Sequence, residues 1–324
     1  MTSRVLGAGV LGAWCWCLVI GATRVPGAAV LGAQPANELR AKFEKRIQEI
    51  TARVDGVVGY EILDLTSNER IAHLEKDTFP TASAIKLAIV YELFKQVDDK
   101  RVRLDETLVL DRSKAVGGTG VLVHMGTPTL SIRDYATLMV TLSDNTATNV
   151  LIDRLGMDAI TKRMQGLGLP GTRLRRHMMD TAAARRGDEN VSTPGELSAL
   201  LQKLNTMPAA IELLKLPKEN RLRRGLPDGV QSADKSGELD GVRVDAGIVF
   251  AKNRPYIFSV MTTFLKDDAE GERAIVEMSR VAYEYFERLG SAGVAGRRIG
   301  AHRSRSAVIR DWGLGVGGDQ VTSH

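Results

Sequence analysis

The chain has 324 residues, 44% of them apolar and 26% charged, with two cysteines and a formal net charge of +5. That length suits one large domain or two closely packed lobes, and the composition excludes a chain disordered throughout. The charge does not mark a nucleic-acid binder: residues 1–33 hold two arginines and no acid, residues 291–324 hold five arginines and two aspartates, and the stretch 34–290 is neutral.

Residues 1–33 open with Arg4, continue as an uncharged apolar run from Val5 to Ala22, and carry small residues around Ala22 and Ala33. This is the layout of a secretory signal peptide, which predicts an exported protein, periplasmic or secreted. A membrane anchor is the alternative reading of a run this long. Cys15 and Cys17 both fall in this segment, so the mature chain is expected to lack disulfides, thiolate metal sites and a cysteine nucleophile. The tail 291–324, rich in Gly, Ala, Ser and Arg without apolar periodicity, reads as disordered and basic. The working domain is therefore expected over 34–290, as a monomer without stable membrane insertion once the signal is removed.

Leu39, Phe43, Ile47 and Ile50 recur at three- and four-residue spacing and predict a helix over Ala36–Arg53. Val57–Leu65 reads as a strand and Arg70–Leu74 as its partner, with Thr66-Ser67-Asn68 as the turn. Helical patterning returns from Ser83 to Val97. Ser131 is placed to cap a helix to Leu142, with Asp134 in its first turn, and another helix runs from Asn145 to before Gly156. Thr193 and Pro194 open a helix to Leu204. Val242–Phe250 and Tyr256–Phe264 read as paired strands joined through Lys252-Asn253-Arg254, and a last helix spans Glu270–Leu289. Strands at both chain ends with helices between them predict an α+β fold in three α/β/α layers. Its antiparallel sheet is built from the two ends, and an all-helical lobe is inserted.

Ser83 and Lys86 lie three residues apart at a predicted helix start, which puts both side chains on one face. A serine hydroxyl needs a base, and a lysine serves as one only when burial or a nearby cation lowers its pKa. Ala84, Ile85, Leu87 and Ala88 supply apolar surroundings. The spacing alone is weak: Ser232-Ala233-Asp234-Lys235 also fits it, and a capping serine beside a surface lysine is the plain alternative. Ser143-Asp144-Asn145 sits at a break between predicted helices, where capping is the plain role. Lys235-Ser236-Gly237 precedes the strand at Val242, where a turn lysine is the plain role.

The three motifs in this order are the set of the serine β-lactamases and penicillin-binding proteins. The chain resembles the class A β-lactamase family over roughly Ala36–Leu289. The likeness includes Thr81-Ala82-Ser83-Ala84-Ile85-Lys86, Leu142 through Asn149, Thr193-Pro194, and Leu226-Pro227 ahead of Asp234-Lys235-Ser236-Gly237. The resemblance implies a β-lactamase/transpeptidase-like fold; no cofactor is expected, and no metal, since the histidines show no metal-ligand spacing. It implies that Ser83 attacks a lactam carbonyl, Lys86 takes its proton, and Ser143 relays a proton to the leaving nitrogen. It further implies that Asn145 holds the substrate amide, that Lys235 and Ser236 bind its carboxylate, and that the backbone N–H groups of Ser83 and Glu238 hold the oxyanion. The implied substrate is a β-lactam or a peptidoglycan peptide.

Two positions depart from the family pattern. The family carries a glutamate in an Arg-x-Glu-x-x-x-Asn loop; the matching stretch here is Arg176-His177-Met178-Met179-Asp180-Thr181-Ala182. Met178 stands for the glutamate and Ala182 for the asparagine. Asp180 is the nearest carboxylate that could direct water, with a capping or surface aspartate as the alternative. Asp188 and Glu189 read as parts of a solvated turn, His177 as a loop histidine, and Met178-Met179 as core packing. Glu238 is the second departure: a carboxylate beside the site disfavours anionic substrates. Three readings follow: a β-lactamase-type hydrolase, a D-Ala-D-Ala carboxypeptidase or related envelope hydrolase with slow β-lactam release, and a non-catalytic penicillin-recognising binder.

Overall fold

The computed structural model describes residues 33–293 and Gly296. The signal peptide expected over 1–33 and the tail over 291–324 lie, apart from these few terminal residues, outside the described residues. In chain order the elements are α1 (Ala33–Thr51), β1 (Val57–Asp64), β2 (Arg70–His73), β3 (Phe79–Pro80), a 3-10 turn (Ala82–Ile85) running straight into α2 (Lys86–Asp98), β4 (Thr107–Val109) and β5 (Thr129–Ser131). Then come α3 (Ile132–Thr141), α4 (Asn145–Leu155), α5 (Met157–Gly166), α6 (Thr181–Arg185), β6 (Val191–Ser192), α7 (Pro194–Leu204), α8 (Pro208–Lys215) and α9 (Arg221–Arg224). Strands β7 (Ser232–Leu239), β8 (Val242–Val249) and β9 (Tyr256–Thr263) and the long α10 (Asp268–Ser291) complete the chain.

The five-stranded sheet has the order β2-β1-β9-β8-β7, every neighbour antiparallel. β1 pairs with β9 from Val57↔Thr263 to Asp64↔Tyr256, so the two chain ends do form one sheet. Alternation along each strand separates two apolar layers. Val58, Tyr60 and Ile62 of β1 and Tyr256, Phe258 and Val260 of β9 pack with Phe43 and Ile47 of α1 and with Met278 and Phe286 of α10. Phe43 stacks on Tyr285 at 4.4 Å and Tyr256 on Phe286 at 4.2 Å. The other face, with Ile248, Ile257 and Met261, packs on the helical lobe around α2, α3 and α7. Burying one such side chain contributes roughly 1.5–3 kcal/mol. The α/β/α layering and the inserted lobe are as expected. Among the described residues no helix is long and apolar enough to cross a membrane.

Caps set the helix starts. Ser131 and Asp134 form a reciprocal capping box on α3, and Thr193 accepts from Glu196 N–H with Pro194 in the first turn of α7. Two expectations need correction. Lys235-Ser236-Gly237 lies inside strand β7, not in a turn before the strand at Val242. Ser83 lies in the 3-10 turn, and α2 begins only at Lys86.

Candidate active site

Ser83 does not cap a helix. The 3-10 turn Ala82–Ile85 is preceded by Thr81, which makes no side-chain cap bond, and Ala82 holds a left-handed φ of 46°. A non-glycine residue in that region carries strain of order 1–3 kcal/mol, which surrounding structure must enforce. Strand β7 does so: a Cβ at Gly237 would lie 2.5 Å from the Thr81 carbonyl and 2.8 Å from the Ser83 nitrogen. Only glycine lets the strand approach this closely. The Ser83 amide and the β7 backbone at Gly237–Glu238 are thereby brought side by side.

Lys86 is the hub. Its side chain is buried on the first turn of α2, and Nζ donates to Ser83 Oγ at 3.0 Å, Ser143 Oγ at 2.9 Å, the Ser143 carbonyl at 2.7 Å and Asn145 Oδ1 at 3.3 Å. Burial holds its ammonium well below the usual lysine range; the Lys235 cation lowers it further, and Asp144 opposes. A lysine so placed gives up its proton more readily than an exposed one, which suits it to take a proton from Ser83.

Ser143 has φ 52° at the break between α3 and α4. Asp144 caps α4 through the Ala147 N–H, and its second oxygen accepts from Val121 and Leu122 at 2.7 and 2.9 Å. The capping role holds, and the same carboxylate also latches the 116–122 loop. Thr119 of that loop donates to the Ser143 carbonyl at 2.8 Å, and Asn145 Nδ2 to the Gly117 carbonyl at 3.1 Å. Thr119 was missed, although the Gly117-Gly118-Thr119-Gly120 run was a signal of close backbone approach.

Ser83, Ser143, Asn145, Lys235, Ser236, Gly237 and Glu238 all line one cavity of about 790 Å³. Lys235 is 2% exposed, and Nζ donates to the Ser236 carbonyl at 2.8 Å. Burial, then the neighbouring Lys218 cation, push it down to about 8 against the pull of Asp234 and Asp245. Lys218, also pushed down to about 8 by burial, lies 3.8 Å from Asp234; no sequence pattern singled it out. The second Ser-x-x-Lys is no pair of this kind: Ser232 donates to Asp234, and a strand turns residues three apart to opposite faces.

Asp180 is not brought to this group. Its carboxylate accepts from the Ala183 N–H at 2.9 Å as the cap of α6, and it is not among the cavity-lining residues. Met178 does line the cavity and is 6% exposed. Glu189 is not a solvated turn residue either. Arg176, 9% exposed, donates Nε and Nη2 to its two oxygens at 3.0 and 3.1 Å, and the buried Asn190 accepts from the Arg175 and Arg176 amides. His177 pairs with Asp153 at 2.9 Å, outside the cavity lining.

An antiparallel sheet with an inserted helical lobe, and a buried lysine between two serines at their junction, define a serine hydrolase of the acyl-enzyme type. A family model described as the beta-lactamase enzyme family matches residues 42–286, and the chain belongs to that family. The imipenem-hydrolyzing beta-lactamase of Enterobacter cloacae is 28% identical over 268 residues, 76% of this chain and 91% of that protein. Beta-lactamase SME-1 of Serratia marcescens is 25% identical over 260 residues, 75% and 88% of the two chains. Among solved structures, PBP-A matches with a TM-score of 0.70 and 29% identity over 76% of this chain and 96% of its own. The ancestral GNCA class A beta-lactamase matches with a TM-score of 0.70 and 26% identity over 75% and 100%. A leucine-to-glutamate mutant of PBP-A, an acyl-enzyme complex with penicillin G, matches at 0.70 and 29% over 76% and 97%.

Proposed function

We propose that the protein opens β-lactams through an acyl-enzyme on Ser83, and that release of the acyl group is the slow half of the cycle. The observation that carries this reading is Lys86 Nζ held between Ser83 Oγ and Ser143 Oγ at 3.0 and 2.9 Å. Neutral Lys86 takes the Ser83 proton as Oγ attacks the lactam carbonyl. The Ser83 and Glu238 amides hold the oxyanion. The proton then passes through Ser143 Oγ to the leaving nitrogen, and the C–N bond breaks. Lys235 and Ser236 hold the substrate carboxylate, and Asn145 its acyl amide. A positioned base contributes about 10²–10⁴ in rate and one oxyanion donor about 10²–10³. Turnover of a chromogenic cephalosporin by the wild type, lost in Ser83→Ala, tests the reading; equal rates would refute it.

A second reading, a D-Ala-D-Ala carboxypeptidase of the envelope, is favoured by one observation: the residue at the glutamate's place is the buried Met178, and Asp180 is committed to capping α6. Penicillin would then label Ser83 and stay. Because slow release is common to both readings, cleavage of a D-Ala-D-Ala peptide by the wild type, lost in Ser83→Ala, separates them: the second reading expects it and the first does not.

The apolar run Val5–Ala22 with its flanking residues supports export through a signal peptide over 1–33, leaving 34–290 as the hydrolase domain and 291–324 as a basic tail. Detecting the mature N-terminus on secreted material tests this.

A further inference from the structure

One end of the cavity carries charges that the reaction above does not use. Glu238 follows Lys235-Ser236-Gly237 on β7, and its side chain is 59% exposed. Strand alternation puts it on the face of Ser236, two residues away. Glu219, in the segment before α9 that lines the same cavity, is also exposed and forms no ion pair among the described residues.

The nearest cation does not cancel this charge. Arg221 Nη1 lies 3.2 Å from Glu238, but its guanidinium is already committed: Nε donates to Asp245 at 2.6 Å and Nη2 to the Gly237 carbonyl at 3.0 Å. Asp245 stands opposite Ser236 in the β7–β8 register, and Arg221 and Asp245 are both buried. Arg221, Asp245 and Glu238 together are therefore net negative. Of the residues that line the cavity, Lys235 is buried and cationic, and Glu238 and Glu219 are exposed and anionic, so the inner wall attracts and the exposed rim repels a negative charge.

A carboxylate alone is attracted inward and repelled at the mouth. A molecule with a carboxylate and a neighbouring cation satisfies both. We propose that Glu238 is a specificity-determining residue that favours substrates whose leaving-group side carries a carboxylate with a positively charged group next to it. The inference rests on the proposed acylation of Ser83. An exposed charge pair in water changes a rate by roughly 1.5- to five-fold, and salt weakens it.

Cephaloridine and cephalothin share one acyl group and one ring carboxylate; the first carries a pyridinium at C3 and the second a neutral acetoxy group. Acylation rates are measured for both on the full chain, wild type and Glu238→Gln, at low and high salt. Because the two leaving groups differ intrinsically, the readout is the change in their rate ratio. The ratio is expected to fall about 1.5- to five-fold in Glu238→Gln, mainly through faster acylation by cephalothin, and to fall in the wild type with added salt. Labelling by penicillin G shows that the variant is folded. Should it not fold, Glu219→Gln and the wild-type salt dependence carry the test, with the same direction expected. An unchanged ratio with both compounds acylating overturns the role of Glu238. Failure of both compounds to acylate wild-type Ser83 overturns the functional reading and this inference with it.

Discussion

Asn149 grips the backbone of Met178 from both sides: the Met178 N–H donates to Asn149 Oδ1 at 2.8 Å, and Asn149 Nδ2 donates to the Met178 carbonyl at 3.1 Å. The thioether is thereby fixed in the cavity wall at the position where the family pattern has a carboxylate. A thioether cannot deprotonate water, so Met178 cannot supply the base that release of the proposed acyl-enzyme requires.

Met178→Glu is expected to shorten the lifetime of the penicillin adduct at least about ten-fold, within the range of a positioned base. Acylation should change little, because Ser83, Lys86 and Ser143 are untouched. Decay of the adduct by intact mass reads the effect; an unchanged lifetime would show that release is limited elsewhere.

Lys86→Met is expected to slow acylation of Ser83 by about 10²–10⁴. The loss should exceed any effect of a small fall in melting temperature. Stopped-flow acylation with a chromogenic cephalosporin measures it, and acylation within a few-fold of wild type would remove Lys86 from the role of base.

The pH profile follows from two lysines with opposite requirements. Lys86 must be neutral to accept a proton; burial and Lys235 depress its pKa, so acylation rises as pH climbs through that lowered value. Lys235 must be charged to hold a carboxylate, and it loses its proton at about 8, so kcat/KM falls above that point. Lys235→Arg keeps the charge and is expected to move the alkaline limb upward. An alkaline limb that does not move would assign it to another group.

Glu189→Ala is expected to destabilise the fold by about 1–3 kcal/mol, because it leaves the Arg176 guanidinium without its two-point partner. The loss reads as a lower melting temperature and faster proteolysis within 176–190. An unchanged melting temperature would make the pair dispensable.

Much of the fold was legible because its signals are local. The apolar spacing of Phe43, Ile47 and Ile50 and the caps Ser131 and Thr193 need no tertiary context. Strand β7 was not legible: Ser232–Leu239 holds no β-branched residue, and its extended form comes from pairing with β8. Short α5, α8 and α9 were missed for a similar reason, being held mainly by packing. Ser83, Lys86 and Ser143 were readable as an ordered set of motifs. The Arg176–Glu189 clasp, the Thr119 contact and the placement of Lys218 were not, because each depends on the chain folding back over a distance no pattern encodes. Asp180 looked catalytic by proximity in sequence, and its cap bond to Ala183 turns it away.

The central claim is that Ser83 is acylated readily and released slowly, and time-resolved intact mass after mixing the full chain with penicillin G tests it most directly. The account predicts a single adduct of the whole penicillin mass, mapped to the Ser83 peptide, that forms quickly, outlasts the free drug's removal and is absent in Ser83→Ala. An adduct on another residue, no adduct together with unconsumed penicillin, or rapid turnover with no adduct accumulating would contradict it.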